Sequence, residues 1–452
     1  MSFEKHFSVV EIILLLIITL AGVVTSVILK WVLVIGFLPG LLFLLLLTVR
    51  KGVTRKAIFQ MSMRGVWKTK EVIIILFLVG LLLPSWYLSG TIEQMVSISL
   101  QILSPSHFLL LSFFLMMILS MLLGTSIGTL SALGIPIMSA AITLQFPVEM
   151  VAGALISGAF VGDRSSPFSS AHQLLASTVE VPVYKQFRKI IPTTIAAVAI
   201  SIVVYYFLDS KLQQMVNVSQ APISTTSWNE ISYLTLIPPF ILLLFVVFRI
   251  KIRYAFLASI FTAVLIAVFT KGVSWVTLSY HLWYGVDTLG GGTKNMVFLL
   301  LFIALAGIYN GLLEDLKVIQ PLLNRWLEAS TSRIQNTLKT MMASFTISVI
   351  ACNQTLPIIL TGRSLLPHWK KHHSEEDLSR VMADSTMLFP GMIPWSVLAI
   401  MSSTIVGVPV FSYLSYAIFL WVLPIITIIW SIIEQAKETK QKFHHHHRSF
   451  VN

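Results

Sequence analysis

Apolar runs close to the length of a bilayer crossing recur from one end of the chain to the other, and short basic loops separate several of them. "VVEIILLLIITLAGVVTSVIL" (9–29), "FLLLSFFLMMILSMLLG" (108–124), "YLTLIPPFILLLFVVF" (233–248) and "YLSYAIFLWVLPIITIIWSII" (413–433) are examples. A helix needs about 20 apolar residues to cross the hydrocarbon core, and the runs make about ten to twelve segments, some of them re-entrant. The pattern predicts an all-α polytopic membrane protein. The first run is too long for the apolar core of a signal peptide, and no small-residue cleavage site follows it. It reads as a first membrane helix.

Polar and Gly/Pro-rich stretches lie inside the membrane-length segments rather than between them. The first half has "GTSIGTLSALGIP" (124–136) and "GDRSSPFSS" (162–170); the second has "GGGTKNM" (290–296), "CNQTLPIILTG" (352–362) and "ADSTMLFPGMIPW" (383–395). Backbone facing lipid must satisfy its own hydrogen bonds, so irregular stretches at membrane depth survive only inside protein or beside water. Paired interruptions in two halves of a chain point to a binding site near the midplane of a secondary transporter. The last two blocks of each half are similarly spaced, by 38 residues from Gly124 to Gly162 and 31 from Cys352 to Ala383. This is a weak internal repeat. It divides the chain into an opening helix pair with a basic stretch (1–71), a first transport repeat (72–208), a polar loop (209–230), a second transport repeat (231–436) and a basic tail (437–452).

Composition sharpens the membrane reading. Of the 452 residues 56% are hydrophobic and 11% charged, against about a quarter charged in soluble domains. The net charge of +12 gathers in "RKGVTRK" (50–56), "YKQFRK" (184–189), "RIKIR" (249–253) and the tail, so it reports cytoplasmic loops rather than a nucleic-acid partner. "HWKKHH" (368–373) is also basic, yet simple helix counting puts it outside; a re-entrant segment at 340–366 would resolve the conflict. The tail's four histidines read as a solvated end or an expression tag. Cys352 is the single cysteine, which excludes an internal disulfide framework and fits a small buried residue.

Asp163 heads the candidate chemistry. A charge at the bilayer centre costs about 2.5–3.5 kcal/mol on insertion scales, so it calls for a role or a partner. Ser165, Ser166 and Ser169 offer hydroxyl oxygens beside it, and hard cations take oxygen ligands. The alternative is a salt bridge between Asp163 and Arg164. Asp384, with Ser385 and Thr386, is the second-half counterpart; its alternative is a loop aspartate paired with Arg380. Gly124, Thr125, Ser126, Asn353, Gln354 and Thr355 line a substrate path or hold helices together by their polar groups. His172 is a proton-relay or a structural histidine. Lys294 fits a snorkelling lysine, Glu314 and Asp315 a cytoplasmic helix end, and Trp31, Trp67 and Trp86 an interfacial belt. No phosphate loop, zinc spacing or nucleophile elbow is present. The sequence therefore predicts no enzyme, cofactor or resident metal, only lipid, a small ion or molecule as partner and sodium or protons as coupling ions, with a homodimer left open.

"GTSIGTLSALGIP", "GDRSSPFSS", "NQTLPIILTGR" and "LSRVMADSTMLFPGMIPW" together resemble the NhaC family of sodium/proton antiporters, from about residue 83 to Trp395 and beyond. The resemblance implies a multi-pass secondary transporter of the bacterial inner membrane with two inverted repeats and re-entrant hairpins, and sodium/proton exchange through Asp163 and Asp384. There are departures. The family's Ser-Asp-Thr-Thr-Asn reads Ser169, Ser170, Ala171, His172, Gln173, its Asp-Gln reads Asn353-Gln354, and its Glu-Asp-Ser reads Ala383, Asp384, Ser385. The Asn after Pro-Trp is Ser396. Three acidic positions are thus neutral, which weakens the hold on a bare cation and keeps open the exchange of organic acids or amino acids coupled to sodium or protons.

Overall fold

The computed structural model describes residues 7–449 except 30, 103–104, 216–231, 287–290, 320 and 322–331. Most of the polar loop expected at 209–230, and Gly290, fall outside them. The described residues form helices and no strand. The chain opens with α1 (Val9–Ile28), α2 (Leu33–Arg50), α3 (Arg55–Leu88) and α4 (Thr91–Ile102). It continues with α5 (Phe108–Leu123), α6 (Ser126–Thr143), α7 (Val148–Ser165), α8 (Ser170–Thr178) and α9 (Val183–Met215). The middle is α10 (Ile237–Val247), α11 (Ile252–Thr270), α12 (Trp275–Tyr284) and α13 (Thr293–Asp315). Then come α14 (Arg333–Ala351), α15 (Thr355–His372), α16 (Glu375–Asp384), α17 (Phe389–Met392), α18 (Val397–Val406), α19 (Val410–Leu414) and α20 (Ile418–Ser449).

Among the described residues eight helices are long and apolar enough to cross a membrane, or nine if the pair Glu375–Met392 and Val397–Val406, bent by 58°, counts as one span. The protein is a multi-pass membrane protein. Phe108–Leu123 and Tyr233–Val247 are apolar but shorter, so part of the expected count is carried by short or broken pieces.

One group of helices is built on close backbone contact. A Cβ on Gly65 of α3 would lie 2.0 Å from the carbonyl oxygen of Gly307 on α13, and one on Gly22 of α1 would lie 2.1 Å from that of Gly36 on α2. Lipid offers no hydrophobic drive between helices, so small residues that let backbones meet supply the packing. Phe37 of α2 then packs edge-on against Phe302 and Tyr309 of α13. Arg64 and Lys68 of α3 pair with Asp315 and Glu314 of α13, which places the two acids at a helix end as expected. Trp86 corrects the interfacial-belt expectation: it is fully buried and donates to Ser259 of α11 at 3.0 Å, whereas Trp31 and Trp67 are exposed. Lys294 lies 4.8 Å over the Tyr284 ring.

The second group contains two helical hairpins. In the first, α5 runs out, the chain turns at Gly124 and α6 returns, bringing the ring of Phe146 to within 5.1 Å of Phe108 at the foot. In the second, α14 and α15 pair antiparallel through His368 with Asn336 and Trp369 with Thr340, both at 3.1 Å. The turn at Gly124 needs φ +69, and a Cβ there would meet the Phe168 backbone at 2.6 Å; glycine meets both demands. Cys352 takes the matching left-handed position in the second hairpin, with φ 53 and its side chain buried.

The long helix α9 shows how the hairpins enter. The foot of the first is held by Asp209, whose carboxylate accepts from the Leu109 and Leu110 amides at 2.9 and 3.0 Å. The foot of the second is tied to Lys189 through Asp377, which also pairs with Arg333. Lys189 and Asp209 stand about 30 Å apart along α9 at 1.5 Å per residue. The hairpins thus enter from opposite ends and meet inside. The basic stretch 368–373 shares an end with 184–189, since Lys370 pairs with Glu180 and Lys185 with Glu376.

Gly65→Ala should lower stability by about 1–3 kcal/mol, the usual cost of overpacking, because the obstacle is backbone. Gly134→Ala, whose Cβ meets nothing nearer than 3.5 Å, should leave the melting temperature close to the parent. Thermal unfolding in detergent compares the two.

Candidate functional site

Two helices break where the hairpin tips meet. α7 ends at Ser165, the chain bends through Ser166 to Ser169 and α8 begins; α16 ends at Asp384 and gives way to the short α17. These breaks are the "GDRSSP" and "ADSTMLFP" stretches, where proline removes a backbone donor and serine or threonine competes for the carbonyls.

Asp163, on the last turn of α7, is 8% exposed. One carboxylate oxygen accepts from the backbone N–H of Ser126, at the first tip, at 3.4 Å; the other accepts from Nε2 of Gln354, at the second tip, at 3.1 Å. Gln354 also donates to the Met387 carbonyl at 2.9 Å, which ties the tip to the break after α16. α6 and α15 both start here, so the partial positive charge of two helix N-termini faces this carboxylate. Among the described residues no cation pairs with Asp163. The hydroxyl of Ser126 is buried beside it without a hydrogen bond and offers a free oxygen.

Arg164 is fully buried and faces the other way. Its guanidinium bonds Asp384, Thr193 and Thr194 of α9, and Ser165. The second Asp384 oxygen accepts from Thr427 of α20. The alternative pairings drawn from sequence are therefore corrected: Arg164 bridges to Asp384 rather than Asp163, and Arg380 pairs with Glu434 at 2.6 Å. The adjacency of Asp163 and Arg164 misled because consecutive helical side chains point about 100° apart and do not face each other.

The remaining candidates scatter around this centre. Ser169 donates to the Asp163 carbonyl and caps α8, while Ser166 donates to the Met121 carbonyl at 2.7 Å. Thr125 caps the start of α6, and Asn353 accepts from the Leu356 amide at 3.0 Å. Thr355 is exposed at the start of α15. Ser385 bonds the Val381 carbonyl, and Thr386 bonds Ser344 of α14, so these two hydroxyls hold helices rather than face Asp163. His172 is buried, its Nδ1 at 2.7 Å from the Arg164 carbonyl and its Nε2 without a partner. Thr193, Thr194 and Thr427 went unrecognised in the sequence, where they are single hydroxyls in apolar helices.

Residues 158–433, more than half of the chain, match the sequence profile of the Na+/H+ antiporter family. The chain belongs to that family, as a divergent NhaC member. The Na(+)/H(+) antiporter NhaC of Bacillus subtilis is 28% identical over 407 residues, 85% of this chain and 88% of that one. NhaC of Alkalihalophilus pseudofirmus is 26% identical over 376 residues, 80% and 81% of the two chains. The malate-2H(+)/Na(+)-lactate antiporter of Bacillus subtilis is 26% identical over 388 residues, 82% and 83%. The matched family region opens a few residues before Asp163 and carries both helix breaks and the second hairpin.

Removing one member of a buried ion pair leaves the other charge stranded, at about 3–5 kcal/mol. Arg164→Met should therefore abolish stable expression in this antiporter. Arg164→Met with Asp384→Leu removes both charges and should recover folded protein by size-exclusion chromatography.

Proposed function

We propose that the chain is a secondary transporter exchanging sodium for protons, with the Asp163 carboxylate as the group both ions share. The observation that carries this reading is the placement of one buried carboxylate between two hairpin tips with no cation as partner among the described residues. Sodium binding needs that carboxylate ionised, and protonation releases the ion; competition at one group makes the two fluxes exclusive. The Ser126 hydroxyl supplies a further oxygen ligand of the kind hard cations take. Asp384 serves as the counter-ion that fixes Arg164, and Ser165 supports the same guanidinium. Ser385, Thr386 and Asn353 position the helices around the site.

The two hairpins that enter from opposite ends support an inverted-repeat organisation, one repeat within 72–208 and the other within 231–436. The basic loops then face the cytoplasm, following the excess of Lys and Arg on that side of membrane proteins. The malate/lactate relative favours a second reading, in which the neutral Asn353 and Ala383 admit a carboxylate substrate; the match to two sodium/proton antiporters makes it the weaker one.

Everted vesicles loaded with a pH-sensitive dye test the reading. Sodium should trigger a proton flux that Asp163→Asn reduces to background. Because Arg164 keeps its partner Asp384, the variant should insert and purify at parental yield. An Asp163→Asn protein that is folded and still exchanges sodium for protons would overturn the assignment, and counterflow of a labelled organic acid without a sodium response would favour the second reading.

A further inference from the structure

The turn between α10 and α11 reaches from one group of helices to the other and ends beside the site. Its base is fixed to α3, where Arg253 pairs with Glu71 at 2.7 Å and Ser259 accepts from Trp86 at 3.0 Å. Val246 and Ile252, on either side of the turn, lie against α6 next to the first tip. A Cβ on Gly128 would meet them at 3.5 and 3.4 Å. From the turn itself Arg249 places its guanidinium carbon 3.9 Å from the centre of the Phe168 ring. Phe168 belongs to the bend that joins α7 to α8, and its ring is exposed, as is Arg249.

The backbone makes arginine a costly choice at this place. The Arg249 N–H bonds the Val246 carbonyl at 3.0 Å, and the Ile250 N–H bonds the Phe245 carbonyl at 2.9 Å. This paired closure of a helix end puts the residue after it into the left-handed region, which glycine fills without strain. Arg249 sits there at φ 58. Strain of that kind points to a gain elsewhere. Arg249 has no ion pair among the described residues, and its contact is the face of the Phe168 ring, whose quadrupole attracts a cation.

Phe168 carries that hold to the site. Its backbone is packed so closely on the first tip that a Cβ on Gly124 would come within 2.6 Å of its carbonyl carbon. Two residues past Gly124, Ser126 gives Asp163 its amide contact at 3.4 Å, long enough that a small shift of the tip breaks it. We infer that Arg249 is a positioning residue for sodium binding: it pins Phe168, and through Phe168 the tip that presents Ser126 to Asp163. This rests on Asp163 being the shared binding group. Without the pin the carboxylate remains but the Ser126 oxygen is held less firmly. Sodium then binds more weakly, while the exchange step keeps its rate.

Arg249→Gly separates positioning from plain stabilisation, because glycine suits the left-handed position better than arginine does. The variant should melt at or above the parental temperature in detergent. In everted vesicles its half-saturating sodium concentration should rise about threefold, the scale of an exposed cation–aromatic contact, with the maximal exchange rate unchanged. Arg249→Gln should show the same rise, and Arg249→Lys, which keeps a cation, should stay near the parent. Phe168→Leu should reproduce the rise, and joining it to Arg249→Gly should add nothing further. An unchanged half-saturation in Arg249→Gly and Arg249→Gln overturns the role. So does a rise in Arg249→Gly that comes with a lower melting temperature, or effects that multiply in the double variant. If Asp163→Asn still exchanges sodium for protons, the binding-group reading fails instead, so the two failures are told apart.

Discussion

Arg164 leaves α7 on the opposite side from Asp163 and meets Asp384 in a place where neither charge touches water. Buried charges persist only when paired and hydrogen-bonded, and this pair is completed by Thr193, Thr194 and Thr427. The pairing decides the electrostatics of the centre. Two aspartates and one arginine lie at the breaks, so one carboxylate, Asp163, is left without a cationic partner among the described residues. The same bridge pins the end of α7 to the end of α16, two helices from different halves of the chain, and so fixes where the breaks meet. Asp163 then falls between the two hairpin tips because its neighbour is already held.

The tips work because of how they turn. Each hairpin reverses at a left-handed residue, Gly124 in one and Cys352 in the other, and each restarts as a helix whose first residues face Asp163. One tip approaches with a backbone amide and the other with the Gln354 side chain. A side-chain donor can swing away while an amide in a packed turn cannot, which gives the two ends of the site different freedom to open. The Gln354 contact to Met387 couples that freedom to the break after α16. α9 frames both hairpins, with Asp209 at one end and Lys189 at the other.

Much of this was legible in the sequence. Apolar length gave the membrane class, Gly/Pro/Ser stretches inside apolar runs marked the breaks, and the segment around 340–366 that "HWKKHH" drew attention to is the antiparallel pair α14 and α15. What was not legible was pairing. Arg164 and Asp384 are 220 positions apart, and adjacency offered only Asp163 as the alternative partner for Arg164. Gln354 read as helix glue or path lining, with nothing to say it touched Asp163. Trp86 looked interfacial because it ends an apolar run, yet Ser259 satisfies its N–H in the interior. Contacts between elements remote in sequence depend on the fold as a whole, and a single chain read by composition and spacing does not carry them.

The central claim is that sodium and a proton compete for one carboxylate. Isothermal titration of the purified protein with sodium, repeated in buffers of different ionisation enthalpy, counts the protons released per ion bound. Competition at Asp163 predicts release approaching one proton per sodium at acidic pH, falling toward zero as the pH rises and the carboxylate is already ionised, with no sodium heat in Asp163→Asn. Sodium binding that releases no proton at any pH, or that persists unchanged in Asp163→Asn, would contradict it.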